Sequence, residues 1–207
     1  MILKVIYETF RRGETLVWSF AALHWMRIRF PWIYVGKGLK SKGGLPFIHV
    51  STKGSLQLGA NTTFVNSTRY NGLGLAKRCS IVVGPNAEVV IEDNTGFSGV
   101  SICCTKRIHI GHHVMIGGNS FIWDTNFHAL SFEDRMIELE GGVRDKIAAS
   151  PITIREGAFI GANSIVLKGV TIGARSVIGA GSVVVSDVPA EEVWGGNPAR
   201  FIRRLTL

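Results

Sequence analysis

The chain has 207 residues, 46% of them apolar and 18% charged, enough for one domain with a buried core and unlike a disordered or collagen-like composition. Its net charge of +8 asks for an anionic partner, either a phosphate-rich cofactor or an acidic membrane surface. Without zinc-finger spacing, an RNA-binding signature or a basic helix, no nucleic-acid partner is expected. Three cysteines without a CxxC pair argue against a disulfide framework and a thiolate zinc site, and predict a reduced, cytoplasmic setting.

Residues 1–45 lack any repeat and form the first predicted unit. Leu16, Val17, Phe20, Leu23 and Arg27 have helical spacing, Glu14 or Thr15 is placed to start a helix, and Pro31 ends or bends it. No small-residue cleavage site follows, so no secretory signal is expected, and Leu16 to Met26 is too short to span a bilayer. Trp18, Trp25 and Trp32 are seven apart and arginines and lysines flank them. Two readings stand: a cap over the open end of a solenoid, or an interfacial helix resting on an anionic membrane.

Residues 46–189 carry a period of six, clearest at Ile154, Ile160, Val166, Ile172, Ile178 and Val184. Glycine follows at 161, 173 and 179, and a small or β-branched residue sits four places on, at Ala158, Ser164, Val170, Ser176 and Ser182. Six fits neither helix nor strand, so it is a repeat, and hexapeptide repeats build a parallel β-helix of three short strands per coil. The aliphatic residue fills the prism, the small one fits near a corner, and glycine is expected for the tight turn. Cys104, six before Ile110, is expected in the core. Ile122 and Ile154 are 32 apart, so the register breaks and residues 123–151, polar and charged, form an extruded loop. Residues 190–207 read as a C-terminal tail.

The late hexapeptides, the loop words Asp124-Thr125-Asn126-Phe127-His128 and the ending Gly195-Gly196-Asn197-Pro198-Ala199-Arg200 resemble the hexapeptide-repeat O-acetyltransferases. They are most similar to the branch acting on bacterial surface polysaccharides. The resemblance implies a left-handed all-β solenoid, a homotrimer, and an acetyl-CoA donor held between subunits. It puts the catalytic base on His128 and the cofactor contacts on Phe159, Ala162, Ala180, Val185, Ser186 and Arg203. Family members acting on small free sugars have a lysine at Ser186, and asparagine and aspartate at Phe97 and Thr105. Acetyl transfer therefore carries over better than any acceptor.

A sugar hydroxyl needs a base to take its proton, and histidine, with an ordinary pKa of about 6.5, is mostly neutral at pH 7. Asp124, four before His128, orients the ring and stabilises imidazolium, binds the acceptor, or only caps the turn. Asn119 and Trp123 are candidate acceptor contacts. His109, His112 and His113 were weighed as metal ligands, but adjacent residues of a strand point apart and no partner histidine lies one coil away, so no metal is expected. The expected function is O-acetylation of a surface-polysaccharide saccharide or its lipid-linked precursor, in the cytoplasm or at the inner membrane face. Acetylation of a small soluble sugar and a non-catalytic scaffold are the alternatives.

Overall fold

In the computed structural model, residues 2–142 and 145–206 are described. A 28-residue helix, α1 (Ile2–Arg29), precedes three sheets of six, eight and six strands. The chain visits the sheets in rotation, and each strand pairs in parallel with the strand one coil away. This is a three-sided parallel β-helix of the left-handed type. Ile154, Ile160, Val166, Ile172, Ile178 and Val184 are all fully buried, as are Ser164, Ser176 and Ser182. The buried serines keep their hydroxyls satisfied on corner carbonyls: Ser176 Oγ donates to Gly173 O at 2.7 Å and Ser182 Oγ to Gly179 O at 2.6 Å.

The repeat's glycines serve a purpose other than the expected tight turn. A Cβ on Gly117 would lie 2.5 Å from Ala162 N, and one on Gly161 2.5 Å from Ala180 N, in the next coil. Glycine is there because stacked coils touch backbone to backbone. The left-handed conformation falls two residues later, at Asn119 (φ 61°), Asn163 (φ 59°) and Gly181 (φ 72°). Asparagine tolerates that region better than most residues.

The first coil begins earlier than residue 46. Tyr34–Val35 pairs with Gln57–Leu58, and Lys40–Lys42 with Thr63–Val65. These strands lack the aliphatic period that marks the later coils, so the pattern could not reveal them. The C-terminal residues are also not a tail: Glu192–Gly196 and Ala199–Arg204 form an antiparallel hairpin that continues the eight-stranded sheet.

Helix α1 starts at Ile2 rather than at Glu14 or Thr15. Gly13 is the weakest helix former in between, and a single exposed glycine costs only about 1 kcal/mol. Pro31 restricts Phe30 and stops the helix. The second half of α1 caps the prism with Ala22 and Met26 fully buried and Phe30 edge-on to Trp25 at 5.8 Å. Ser19 Oγ accepts from Ser41 N at 3.0 Å, which satisfies an edge N–H that no further coil can reach.

Two segments leave the prism. The expected one lies between Phe121–Trp123 and Ile152–Ile154, its neck closed by a Thr125–Ala149 bridge. The second, between Thr63–Val65 and Ser80–Val83, includes a 3-10 turn at Thr68–Tyr70. Tyr70 donates to Glu14 Oε2 at 2.8 Å, tying this loop to α1. Replacing Gly161 by alanine is expected to lower stability by about 1–3 kcal/mol, the usual cost of overpacking, because the new methyl meets backbone that cannot swing away. Thermal unfolding of Gly161→Ala beside Gly96→Ala, where an added Cβ meets nothing within 4 Å, checks this.

Candidate active site

The long excursion is built around a short helix, α2 (Phe132–Leu139), capped by Ser131, whose Oγ accepts from Asp134 N at 3.2 Å. Glu133 and Asp134 lie in its first turn, where the helix dipole favours negative charge. Its last turn carries Glu138, whose carboxylate accepts from Ala129 N at 2.8 Å through Oε1 and meets His128 Nδ1 at 3.0 Å through Oε2. The glutamate side chain is 6% exposed and the imidazole 65%. A carboxylate on Nδ1 favours the tautomer with its proton there, leaving Nε2 with a free lone pair facing outward. Phe127, with φ at 64°, turns the chain just before the histidine, an uncommon conformation for a bulky residue. His128, Phe132, Arg135, Met136, Glu138 and Leu139 line a cleft of about 550 Å³.

Asp124 is not the partner of His128. It is fully buried, and its oxygens accept from Thr105 N at 2.7 Å, Lys106 N at 2.7 Å and Arg107 N at 3.0 Å, with Thr105 Oγ1 at 3.0 Å. It caps the corner of the coil below, the last of the three roles the sequence allowed. Cys104 Sγ also donates to it, at 3.3 Å. Burial and that carboxylate push the Cys104 thiol well above the ordinary range, and burial pushes Cys79 up to about 11. Neither is a ready nucleophile.

Trp123 stands at the foot of the loop between Phe121, 4.7 Å away, and Phe127, 5.3 Å away. Lys77 from the shorter excursion lies over Phe121 at 3.1 Å, and burial lowers its ammonium pKa to about 8. Together these form an aromatic ledge that ends at His128. Asn119 is spent on structure: its Oδ1 accepts from Ala76 N at 2.8 Å and its Nδ2 donates to Gly74 O at 3.3 Å, while its backbone makes the corner. Phe97 is buried and stacked on Phe64 at 5.7 Å, so it cannot reach an acceptor.

The residues matched to a cofactor fall into related rows. Phe159 pairs with Val177, Val177 with Val193, and Val193 with Arg203, so Phe159 and Arg203 lie on one line across four strands. Ala162 and Ala180 stack at one corner, where Ala180 N lies against Gly161. Val185 and Ser186 are exposed at the next corner, just past Val183–Val184. His109 and His112 share one carboxylate, Glu92, at 3.0 and 2.9 Å, and His113 takes the left-handed corner with φ at 57°. Among the described residues no three His, Cys, Asp or Glu side chains are grouped to hold a metal ion.

The residues that sequence reasoning missed are Glu138 and Lys77. Ser131-Phe132-Glu133-Asp134 is a helix-start signal that would have placed α2, and with it Glu138 in the helix's last turn. Seventeen residues separate Phe64 from Ile81, consecutive inward positions that elsewhere lie about six apart, and that gap marks the shorter excursion.

Residues 151–186 match the bacterial transferase hexapeptide model, described as six repeats. A Schizosaccharomyces pombe protein bearing an acetyltransferase name is 43% identical over 98 residues, 47% of this chain and 44% of that protein. A 2,3,4,5-tetrahydropyridine-2,6-dicarboxylate N-acetyltransferase of Clostridium perfringens is 48% identical over 62 residues, 30% of this chain and 26% of that protein. The chain thus spans less than half the length of these curated relatives. A hexapeptide-repeat acetyltransferase of Vibrio cholerae, solved with acetyl coenzyme A, superposes with a TM-score of 0.53 at 26% identity, over 84% of this chain and 71% of that one. The polySia-specific acetyltransferase NeuO shares the fold, with a TM-score of 0.59 at 22% identity, over 83% of this chain and 75% of that one. Residues 151–186 thus carry the bacterial transferase hexapeptide repeat, and the chain is similar in fold to hexapeptide-repeat acetyltransferases.

The division of labour between the two carboxylates has a measurable consequence. Asp124→Ala strips a charged acceptor from three backbone N–H groups and is expected to cost about 2 kcal/mol or more in stability. His128→Ala, at an exposed ring, is expected to change stability by less than about 1 kcal/mol. Thermal melts of the two variants separate a structural aspartate from a histidine kept for another purpose.

Proposed function

We propose that the protein is an acetyl-CoA-dependent O-acetyltransferase of saccharides, with His128 as general base. The observation that carries this reading is the Glu138–His128 pair on an excursion from the prism, with the imidazole 65% exposed. In the proposed step Nε2 takes the proton of an acceptor hydroxyl as its oxygen bonds to the thioester carbonyl carbon. The carbon–sulfur bond then breaks, and the imidazolium returns the proton to the leaving thiolate. Glu138 is placed to steady the positive ring. Trp123 is placed to stack on the flat face of a sugar. The donor is proposed to lie along the row from Phe159 to Arg203, its phosphates near the arginine, with Ala162, Ala180, Val185 and Ser186 along the adjoining corners.

The acceptor is proposed to be a saccharide of a cell-surface polymer or its lipid-linked precursor, and the assembly a homotrimer. Leu130, Phe132 and Leu139 of the excursion are 79%, 63% and 79% exposed, an apolar surface suited to a second copy of the chain. A cytoplasmic enzyme at the inner membrane face suits α1, which turns Ile6, Phe10, Val17 and Phe20 to solvent, each at least 59% exposed, with Arg12 and Arg27 at the side. Among the described residues no helix is long and apolar enough to cross a membrane.

Thiol release from acetyl-CoA in the presence of extracted envelope glycans tests the activity. His128→Ala is expected to lower turnover at least about a hundredfold, with acetyl-CoA binding nearly unchanged. Wild-type turnover in that variant would overturn the assignment of the base. Flotation with anionic vesicles tests the membrane placement separately. Folded protein is expected to rise with the vesicles at low salt and to be released by high salt or by Arg27→Glu.

A further inference from the structure

A second cleft is larger than the one at His128. It lies between α1 and the first coil, with a volume of about 690 Å³, within the range of small-molecule sites. Leu16 and Leu39 give it an apolar floor, and Arg11, Arg12, Lys40 and Lys42 give it four cations against one carboxylate, Glu8. Glu8 offsets only part of that charge. Glu14, the next acid along α1, is already held by Tyr70 and by Arg69 at 3.3 Å. Among the described residues no carboxylate lies in salt-bridge contact with Arg12, Lys40 or Lys42.

The walls are fixed before any ligand arrives. The Ser19–Ser41 hydrogen bond pins α1 to the strand Lys40–Lys42, and Tyr70 closes one end by donating to Arg11 O at 3.2 Å. The Arg11 guanidinium is stacked 4.5 Å from the Tyr70 ring. The cleft is also remote from the row assigned to the acetyl donor. Lys40–Lys42 and Phe159–Ile160, the near end of that row, are four strands apart in one sheet, about 19 Å at the ordinary strand spacing. A second phosphate-bearing part of the same donor molecule does not account for it.

We propose that this cleft is a site for a lipid phosphate, with the phosphate between Lys40, Lys42 and Arg12 and the start of the apolar chain on Leu16 and Leu39. A free anion would use the cations and leave the apolar floor wet, and a neutral lipid would leave four cations unmatched. A phosphate ester on an apolar chain satisfies both. The same helix turns its apolar stripe to solvent on its other side, so a protein resting on a bilayer through that stripe brings the cleft to headgroup level. The strand that launches the His128 excursion lies three strands from the first coil, about 14 Å along the prism. A glycan on such a phosphate would extend toward the histidine, which deepens the proposed function to a lipid-linked acceptor.

Calorimetric titration of the wild-type chain with monomeric dihexanoyl phosphatidic acid, inorganic phosphate and dihexanoyl phosphatidylcholine tests the site without any turnover. The phosphatidate is expected to bind about tenfold or more tighter than either control, and Lys40→Glu with Lys42→Glu to remove that preference. Leu16→Gln, at a position 71% exposed, is expected to weaken the phosphatidate and leave inorganic phosphate unchanged. All variants should keep the wild-type melting temperature and acetyl-CoA affinity. Equal binding of phosphatidate and inorganic phosphate, absence of binding, or full binding by the folded lysine variant would each overturn the proposal. The wild type separates the two ideas: folded protein that never floats with anionic vesicles yet binds the short-chain phosphatidate removes the membrane placement and keeps the cleft.

Discussion

Everything in this fold depends on the distance between stacked coils. Each coil hands its backbone N–H groups to the carbonyls of the next, as Gly117 N does to Ile160 O at 2.7 Å and Gly161 N to Ile178 O at 2.8 Å. At Gly117 and Gly161 that spacing leaves no room for a Cβ, so those corners are glycine. It forces the turn into a left-handed residue two places on, and it makes the inward positions narrow, so serine or alanine alternates with isoleucine or valine. A single constraint therefore explains three features of the repeat. It also explains why a departure from the prism is conspicuous, since any insertion must return to the same hydrogen-bond ladder one coil higher.

The middle and late coils were legible because each coil repeats one pattern and the pattern is imposed by packing. The first coil was not, because Ser41 takes an inward position there and its strand is held by the helix through Ser19 rather than by aliphatic filling. The C-terminal hairpin escaped for a related reason: Trp194 and Val193 extend the sheet by strand pairing, which carries no period of six. The extruded loop was legible as a break in register, but its inside was not. Within it, proximity in sequence pointed from His128 to Asp124, four residues away. The helix α2 instead folds Glu138 back from ten residues beyond, and only a helix start at Ser131 hinted at that.

The contrast between the two carboxylates shows why motif spacing misleads at such a site. Asp124 lies on the prism side of the neck, where three N–H groups converge and a buried charge is stabilised by them. It has no capacity left for the ring. Glu138 lies on the excursion itself, so it travels with His128 whatever the loop does. A base and its orienting group carried on one short unit keep their geometry independently of the solenoid. The solenoid in turn needs only to hold the neck.

The prism also separates tasks along its axis. At the N-terminal end α1 closes the column and presents a cationic cleft and an apolar stripe. At the C-terminal end the hairpin extends the sheet that carries Phe159, Val177 and Arg203. The His128 excursion leaves from a coil between them. A solenoid whose core is the same at every level imposes no chemistry at any level, so function is set by which corners are interrupted. Here the interruptions are two, at Val65 and at Trp123, and they face each other through Lys77, Phe121 and Trp123. The shorter excursion also reaches back to α1 through Tyr70 and Glu14. It thus connects the cleft at the end of the prism with the ledge at Trp123, and it rests on contacts of named side chains rather than on the repeat.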